Sequence, residues 1–194
     1  MTSNRVLLAS RSPQRRALLA ALGVDFELAE PKIEELNEGD PREVVLENAR
    51  WKAAAAAANV PEGTLVIAGD TEVVLDGEVL GQPGDEQEAR GMLTRLSGRE
   101  HEVLGAIAML GPDQLDGRLR AREGLVSTMV RFQVLGKGLI DAYLASGEWE
   151  GRAGSYAIQG LGSALIEAVE GDVSNVIGLP IPLLLELEPS FQGH

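Results

Sequence analysis

The stretch Leu65-Val66-Ile67-Ala68-Gly69-Asp70-Thr71, continued by Glu72-Val73-Val74-Leu75-Asp76-Gly77-Glu78-Val79-Leu80-Gly81, decides how the rest of the chain is read. Its first half is a short apolar run rich in Val and Ile and bounded by turn formers, which is the pattern of a buried strand. The strand is expected to end at Gly69-Asp70-Thr71, leaving a carboxylate and a hydroxyl where the chain emerges from the core. Two readings of Asp70 compete: a turn residue bonding its own backbone, or a functional carboxylate. The polar stretches elsewhere in the chain favour the second. Asp76-Gly77 between Val73-Val74-Leu75 and Glu78-Val79-Leu80 is a two-residue hairpin signal.

Upstream, Arg5-Val6-Leu7-Leu8-Ala9 is a strand candidate feeding a helix. Ser12 suits the N-cap, Pro13 the first helical position and Gly23 the stop, with Leu18, Leu19 and Leu22 on the buried face. A strand running into a helix N-terminus aims free backbone N–H groups at whatever lies above it. Ser10, Ser12 and Arg15 would add donors there. The alternative is a well-capped surface helix with solvated arginines. Met1 to Val24 holds Arg5, Arg11, Arg15 and Arg16 and no acid, whereas the stretch that follows, to Glu47, is strongly acidic.

Phe26 to Leu36 reads as an acidic, turn-rich segment. Asp40-Pro41-Arg42-Glu43 then opens a helix running to about Asn59. Helical spacing places Val44, Glu47, Asn48, Trp51, Lys52 and Ala55 on one broad face. Lys52 either snorkels from it to solvent or points into a cleft. Downstream, Asp85 caps a helix to Leu96, and strands are expected at His101–Leu110, with a turn at Gly111-Pro112-Asp113, and at Leu125–Leu135. A short helix at Leu139–Ala145, a strand at Ala164–Val169 and a last helix from Ile181 to about Glu188 follow. Between them, Gly151-Arg152-Ala153-Gly154-Ser155-Tyr156-Ala157-Ile158-Gln159-Gly160-Leu161-Gly162-Ser163 is glycine-rich, as backbone closely approaching a ligand would be. It is neither a P-loop nor a dinucleotide fingerprint.

Composition narrows the function. The chain of 194 residues suits one domain or two closely joined lobes, with no linker or repeat. Its 44% hydrophobic and 24% charged residues are ordinary for a globular protein. Cysteine is absent, which removes disulfides, thiolate nucleophiles and zinc-thiolate sites together. With only His101 and His194, a Ser-His-Asp triad would have to rest on His101. A net charge of −13 and only 4% aromatics argue against nucleic-acid binding. No apolar run approaches membrane length and no signal-peptide core precedes Pro13, so a cytoplasmic address is expected. A positive patch inside an acidic protein points to a small anionic ligand held at close quarters.

Five segments, LLASRSPQRRALLAALGV, ENARWKA, IAGDTEVVLDGEVLGQP, YLASGEWEGRAGSYAIQGLGSALIE and GDVSNVIGLPI, resemble in order the Maf family of nucleoside triphosphate pyrophosphatases. The resemblance spans nearly the whole chain, residues 1–194 then forming one domain. It implies an α/β fold like that of the inosine triphosphate pyrophosphatases: an elongated mixed sheet with flanking helices and two lobes around a cleft. It implies cleavage between the α- and β-phosphates with a divalent metal, Mg²⁺ or Mn²⁺, giving a monophosphate and pyrophosphate, by a homodimer. Asp70 falls on the position that accepts the proton of the attacking water. Ser10, Ser12, Arg15, Glu34 and Lys52 fall on polar positions lining the cleft, and Thr71 and Gln159 on positions linked to substrate choice. The Gly-Asp-Thr centre and Ile-Gln-Gly loop place the chain in the branch acting on dTTP and UTP. Gln14 stands where the family usually has Arg and Gln82 where it usually has Lys. Both differences remove positive charge near the expected triphosphate, for which Arg11, Arg16 or Arg152 are the candidate replacements.

The residues agree with that chemistry. A triphosphate needs its charge neutralised before phosphorus can be attacked, and Mg²⁺ binds through one or two carboxylates plus phosphate oxygens. Glu34 and Asp70 are the expected carboxylates. Lys52, Arg15 and the helix N-terminus at Ser12 would counter charge developing on the phosphates. Gln159 either offers a donor and an acceptor to a pyrimidine edge or ties down its own loop. The rival readings are a nucleotide-binding regulator of cell division that has lost catalysis, and the same enzyme with another base preference.

Overall fold

The computed structural model describes residues 5–58, 60–115 and 118–193. Its elements are β1 (Arg5–Ala9), α1 (Pro13–Ala21), β2 (Glu27–Ala29), α2 (Pro41–Ala57), β3 (Thr64–Leu75), β4 (Glu78–Leu80) and α3 (Glu86–Leu96). They continue with β5 (Glu100–Leu115), β6 (Arg118–Phe132), α4 (Lys137–Ala145), β7 (Ile166–Glu170), α5 (Val173–Ile177) and α6 (Ile181–Leu187). One seven-stranded mixed sheet carries the molecule in the order β2-β1-β3-β5-β6-β7, with β4 also on β3. The fold is the expected α/β class, a mixed sheet flanked by helices.

Strand β3 is the spine, and it is longer than the sequence pattern predicts. It does not stop at Gly69-Asp70-Thr71 but runs unbroken for 12 residues to Leu75, so Asp70 sits in mid-strand. The reason is tertiary: β5 pairs with it antiparallel from Val66 to Val74, opposite every residue the local pattern would break on. The other edge of β3 is shared. Parallel β1 covers it up to the pair Ala9↔Ala68, and antiparallel β4 takes it up at Val73↔Leu80. Gly69, Asp70, Thr71 and Glu72 lie between, with no ladder partner on that edge.

Alternation along β3 sorts its side chains to two faces. Val66, Ala68 and Val74 face the α2 layer, where Val45, Ala49 and Ala53 pack on them. On the opposite face Leu65 and Ile67 join Leu8, Leu19 and Leu184 under α1 and α6. Val73 and Leu75 join Leu93, Leu96, Phe132 and Tyr143 under α3 and α4. The two clusters on this face thus form the two lobes, and they part where Gly69 and Thr71 lie.

The caps follow the expected chemistry: Ser12 accepts from Arg15 N, Asp40 from Arg42 N and Glu43 N, and Asp85 from Glu88 N. Both residues of the Asp76-Gly77 hairpin have positive φ, at 54° and 81°. Other expectations are corrected. Glu27–Ala29, read as a turn-rich segment, is a strand held parallel against β1. β5 continues past Gly111 to Leu115, because a register shift between Gly111 and Gln114 takes Pro112 and Asp113 out of the ladder. β6 starts earlier than Leu125 and ends at Phe132, and α5 is an additional five-residue helix. Helix α2 is described to Ala57, with Ala58 as C-cap, and Asn59 and His194 lie outside the described residues. The buried stripe of α2 is Val44, Val45, Asn48, Ala49 and Ala53, rotated from the predicted face, with which it shares Val44 and Asn48, and Trp51 is exposed.

Ile67 is fully buried on β3, between strands on both edges. Ile67→Ala is expected to lower the unfolding free energy by about 2–5 kcal/mol, through lost transfer energy and the cavity left behind; equilibrium denaturation in urea checks it.

Candidate active site

A cavity of about 460 Å³ opens at Asp70 and Thr71, the middle two of the four unpartnered residues of β3. Its walls come from the end of β1, the first turn of α1, α2, the glycine-rich segment and the Gly178 turn after α5. A chain end at the carboxyl edge of a parallel strand, followed by a helix N-terminus, is where α/β sheets place ligands. Ser10 Oγ accepts from Ser12 N at 3.1 Å and Ser12 Oγ donates to Gln14 Oε1 at 3.0 Å, so this turn is knitted by its own side chains.

Asp70 is buried and points to the α2 side. Lys52 Nζ donates to its Oδ1 at 2.7 Å and also lies 3.0 Å from Glu35 Oε1. Lys52 therefore does not snorkel; its side chain is 12% exposed and turns into the cavity. Asn48, one helical turn before Lys52, completes the arrangement. Its amide accepts from Leu36 N at 2.8 Å, donates to Leu36 O at 3.0 Å and donates to Asp70 Oδ2 at 3.4 Å. The Leu36 peptide dictates which way that amide faces, so the remaining N–H is aimed at Asp70.

This clamp explains a difference from the expected site. Both acids are exposed, but Glu34 does not line the cavity, whereas Glu35, the residue joined to the Leu36 peptide, does, and it pairs with Lys52. The loop has no helical or strand period from which the inward-facing acid of an adjacent pair could be read. Helical spacing does put Asn48 and Lys52 on one face, but only the fold shows that Asn48 reaches both the loop and Asp70.

Arg15 crosses the cavity from the other face of β3. Its Nε donates to Gly178 O at 2.8 Å and a terminal nitrogen donates to Thr71 Oγ1 at 3.0 Å. The guanidinium lies over Gly69, where an added Cβ would stand 3.5 Å from Arg15 Nε and 3.0 Å from Ala106 O. Burial pushes the Arg15 pKa down, opposed by the negative charges of Asp70, Glu35 and Glu72. Its hydrogen-bond partners are neutral, so a half-buried cation sits at the wall without a directly bonded carboxylate among the described residues. Such a group is costly to bury alone and favours an anion beside it.

All the other expected positions line the cavity: Ser10, Ser12, Gln14, Thr71, Gln82 and Gln159. Of the candidate replacement cations, Arg11 and Arg152 line it, whereas Arg16 is turned away to Ser10 O and Glu30. Gln159 makes no cap bond to the helical turn that follows it. Tyr156 also contributes to the wall, its hydroxyl 2.8 Å from Nε2 of the buried His101. Burial lowers the His101 pKa to about 4, so the ring is neutral near pH 7, and no serine bonds to it among the described residues.

Within this geometry the comparisons with known proteins can be read. The family described as Maf-like protein matches residues 5–188. The chain belongs to the Maf family. Among its relatives, a protein of Anaeromyxobacter sp. strain Fw109-5 named dTTP/UTP pyrophosphatase is 49% identical, over 94% of this chain and 87% of its own. Proteins of the same name from Caldanaerobacter subterraneus subsp. tengcongensis and Pyrococcus abyssi are each 43% identical, over 94% of this chain and 87% and 94% of theirs. Among solved structures, the Staphylococcus aureus Ham1 protein is similar over 65% of this chain and 71% of its own, at 22% identity and a TM-score of 0.41. Among the described residues of this Maf chain, no helix is long and apolar enough to cross a membrane.

Sequence reasoning passed over Glu72. It lies two residues beyond Asp70 on the same face of β3, and its pKa is pushed up to about 8. Burial is the largest cause, followed by repulsion from Asp70 and Glu35, with Lys52 and Arg15 opposing. The period of two between Asp70 and Glu72 was the available signal. A glutamate raised in the folded state keeps a proton that the unfolded chain has already released, so stability falls as pH climbs from about 4.5 towards about 8. Glu72→Gln is expected to leave stability unchanged near pH 4 and to raise it at pH 9, on the order of 2 kcal/mol after solvent screening. Thermal unfolding of both proteins across that range checks the sign.

Proposed function

We propose that this Maf protein hydrolyses dTTP and UTP to the nucleoside monophosphate and pyrophosphate. The observation that carries the reading is the cavity wall itself: half-buried Arg15, with neutral hydrogen-bond partners, faces a Lys52–Asp70 pair across the gap in β3. Its relatives named dTTP/UTP pyrophosphatase support the same substrate class. The triphosphate lies along the α1 N-terminus, with Arg15 and Arg11 and the N–H groups above Ser12 taking its charge. Water attacks the α-phosphorus; the new P–O bond forms as the bridging oxygen to the β-phosphate departs with its electron pair. Asp70 accepts the proton of that water. Lys52 holds Asp70 in place and stabilises charge on the transferring oxygens. Gln159 reads the donor and acceptor edge of uracil or thymine.

The donor set fits a divalent cation such as Mg²⁺ or Mn²⁺. Asp70 and Glu35 both reach the same Lys52 ammonium, so two carboxylates already converge on one small volume. Among the described residues no group of three or more His, Cys, Asp or Glu side chains is placed to hold a metal, so phosphate and water oxygens complete the shell. Asp70 and Glu35 would hold the ion, which when bound supplies charge neutralisation at the phosphates.

Incubation with dTTP or UTP and Mg²⁺ is expected to yield monophosphate and pyrophosphate, and chelation of the metal to stop it. Diphosphate plus inorganic phosphate would mean that a different bond is cut. Asp70→Asn is expected to lower kcat by about 10²–10⁴-fold with folding retained, as loss of a positioned general base does. Steady-state assay beside a thermal melt checks it, and near-normal turnover would remove Asp70 from the chemistry.

A further inference from the structure

The segment Ala157-Ile158-Gln159 lines the cavity yet belongs to no strand or helix, and Gly160 after it opens a 3₁₀ turn. It hangs between two anchors on a single arm of the fold, α4 and the turn after it. At one end Ala157 N donates to the Tyr143 hydroxyl at 3.0 Å. At the other, Leu161 N donates to Glu148 Oε1 at 3.0 Å and Gly162 N to Glu148 Oε2 at 3.1 Å. Glu148 thus caps the 3₁₀ turn Gly160–Leu165 from outside it, satisfying two N–H groups that a helix start leaves free. Cap residue Gln159 makes no such bond with its own side chain.

The anchor is built closely. Gly160 has φ +66°, and a Cβ there would stand 2.6 Å from Glu148 Oε1. Only glycine both adopts that conformation without strain and leaves the carboxylate room to reach the next two amides. A carboxylate accepting two backbone N–H bonds fixes both the height and the twist of the turn that follows Gln159.

We infer that Glu148, which does not line the cavity, is a positioning residue for base selection: by capping the turn it releases the Gln159 amide to face the cavity. The inference rests on the reading of Gln159 as the base-contacting residue. Glu148→Gln keeps one acceptor and turns an N–H₂ group onto the other amide; Glu148→Ala removes both acceptors.

The experiment is a double-mutant cycle on kcat/KM for dTTP and for CTP, with Glu148→Gln, Glu148→Ala, Gln159→Ala and the double variant Glu148→Ala/Gln159→Ala. Gln159→Ala and Glu148→Ala should each lower the dTTP:CTP preference about tenfold, mainly through KM, and the double variant should lose no more than Gln159→Ala alone. Glu148→Gln should fall between, and it serves as the folded probe if Glu148→Ala melts early. If Gln159→Ala loses the preference while both Glu148 variants keep it, Glu148 has no part in selection and the inference falls alone. Additive losses in the double variant would likewise overturn it. If Gln159→Ala keeps the preference, the base reading falls and the inference with it.

Discussion

A gap of four residues in the pairing of one strand edge is the constraint on which the molecule depends. β3 is paired by β5 from Val66 to Val74, so the ladder continues on that side where its other edge is bare. β1 ends at Ala9 and β4 begins to pair at Val73, leaving Gly69 to Glu72 open. Loss of partners there would weaken an isolated hairpin, but here the continuous β5 ladder and three packed clusters carry the stability. The outcome is a floor reachable from both faces. Asp70 meets α2 on one face, and Thr71 meets Arg15 on the other.

Charge distribution follows from that floor. The protein is acidic overall, at −13, yet Arg11, Arg15, Lys52 and Arg152 converge on one cavity against Glu35 and Asp70. The acids and bases are not interchangeable. Lys52 is matched by two carboxylates, whereas half-buried Arg15 is bonded to a carbonyl and a hydroxyl. An anionic ligand entering beside Arg15 gives the half-buried guanidinium a directly bonded counter-charge in addition to the more distant Asp70, Glu35 and Glu72, and low local dielectric strengthens that contact. The third acid, Glu72, is withdrawn from water and crowded by Asp70 and Glu35, and stays protonated to about pH 8 despite the opposing charges of Lys52 and Arg15.

Much of the site was legible in the chain. Caps are local chemistry, so Ser12-Pro13, Asp40-Pro41 and Asp85 marked their helices correctly, and a strand leading to a capped helix marked the anion-facing end of β1. Helical spacing put Asn48 and Lys52 on one face, and the glycine-rich stretch did prove to line the cavity. Adjacent acids were another matter. Glu34 and Glu35 are equivalent in composition and local propensity, and only the fold, with Asn48 clamped on the Leu36 peptide, brings Glu35 to Lys52 at the cavity rim. Glu148 gave no local sign either, because its partners stand 13 and 14 residues away and it touches no cavity wall.

What the sequence by itself determined is therefore whatever depends on a few neighbouring residues: the helix starts, the Asp76-Gly77 hairpin, the buried apolar run, the absence of thiol chemistry and the positive patch near the N-terminus. The tertiary structure alone decided that β3 continues past Asp70, that Glu27–Ala29 becomes a strand, and which acid faces Lys52. Each of those is settled by a partner distant in the chain, β5, β1 and Asn48 respectively, whose pairing outweighs the weak local preference of the residues it holds.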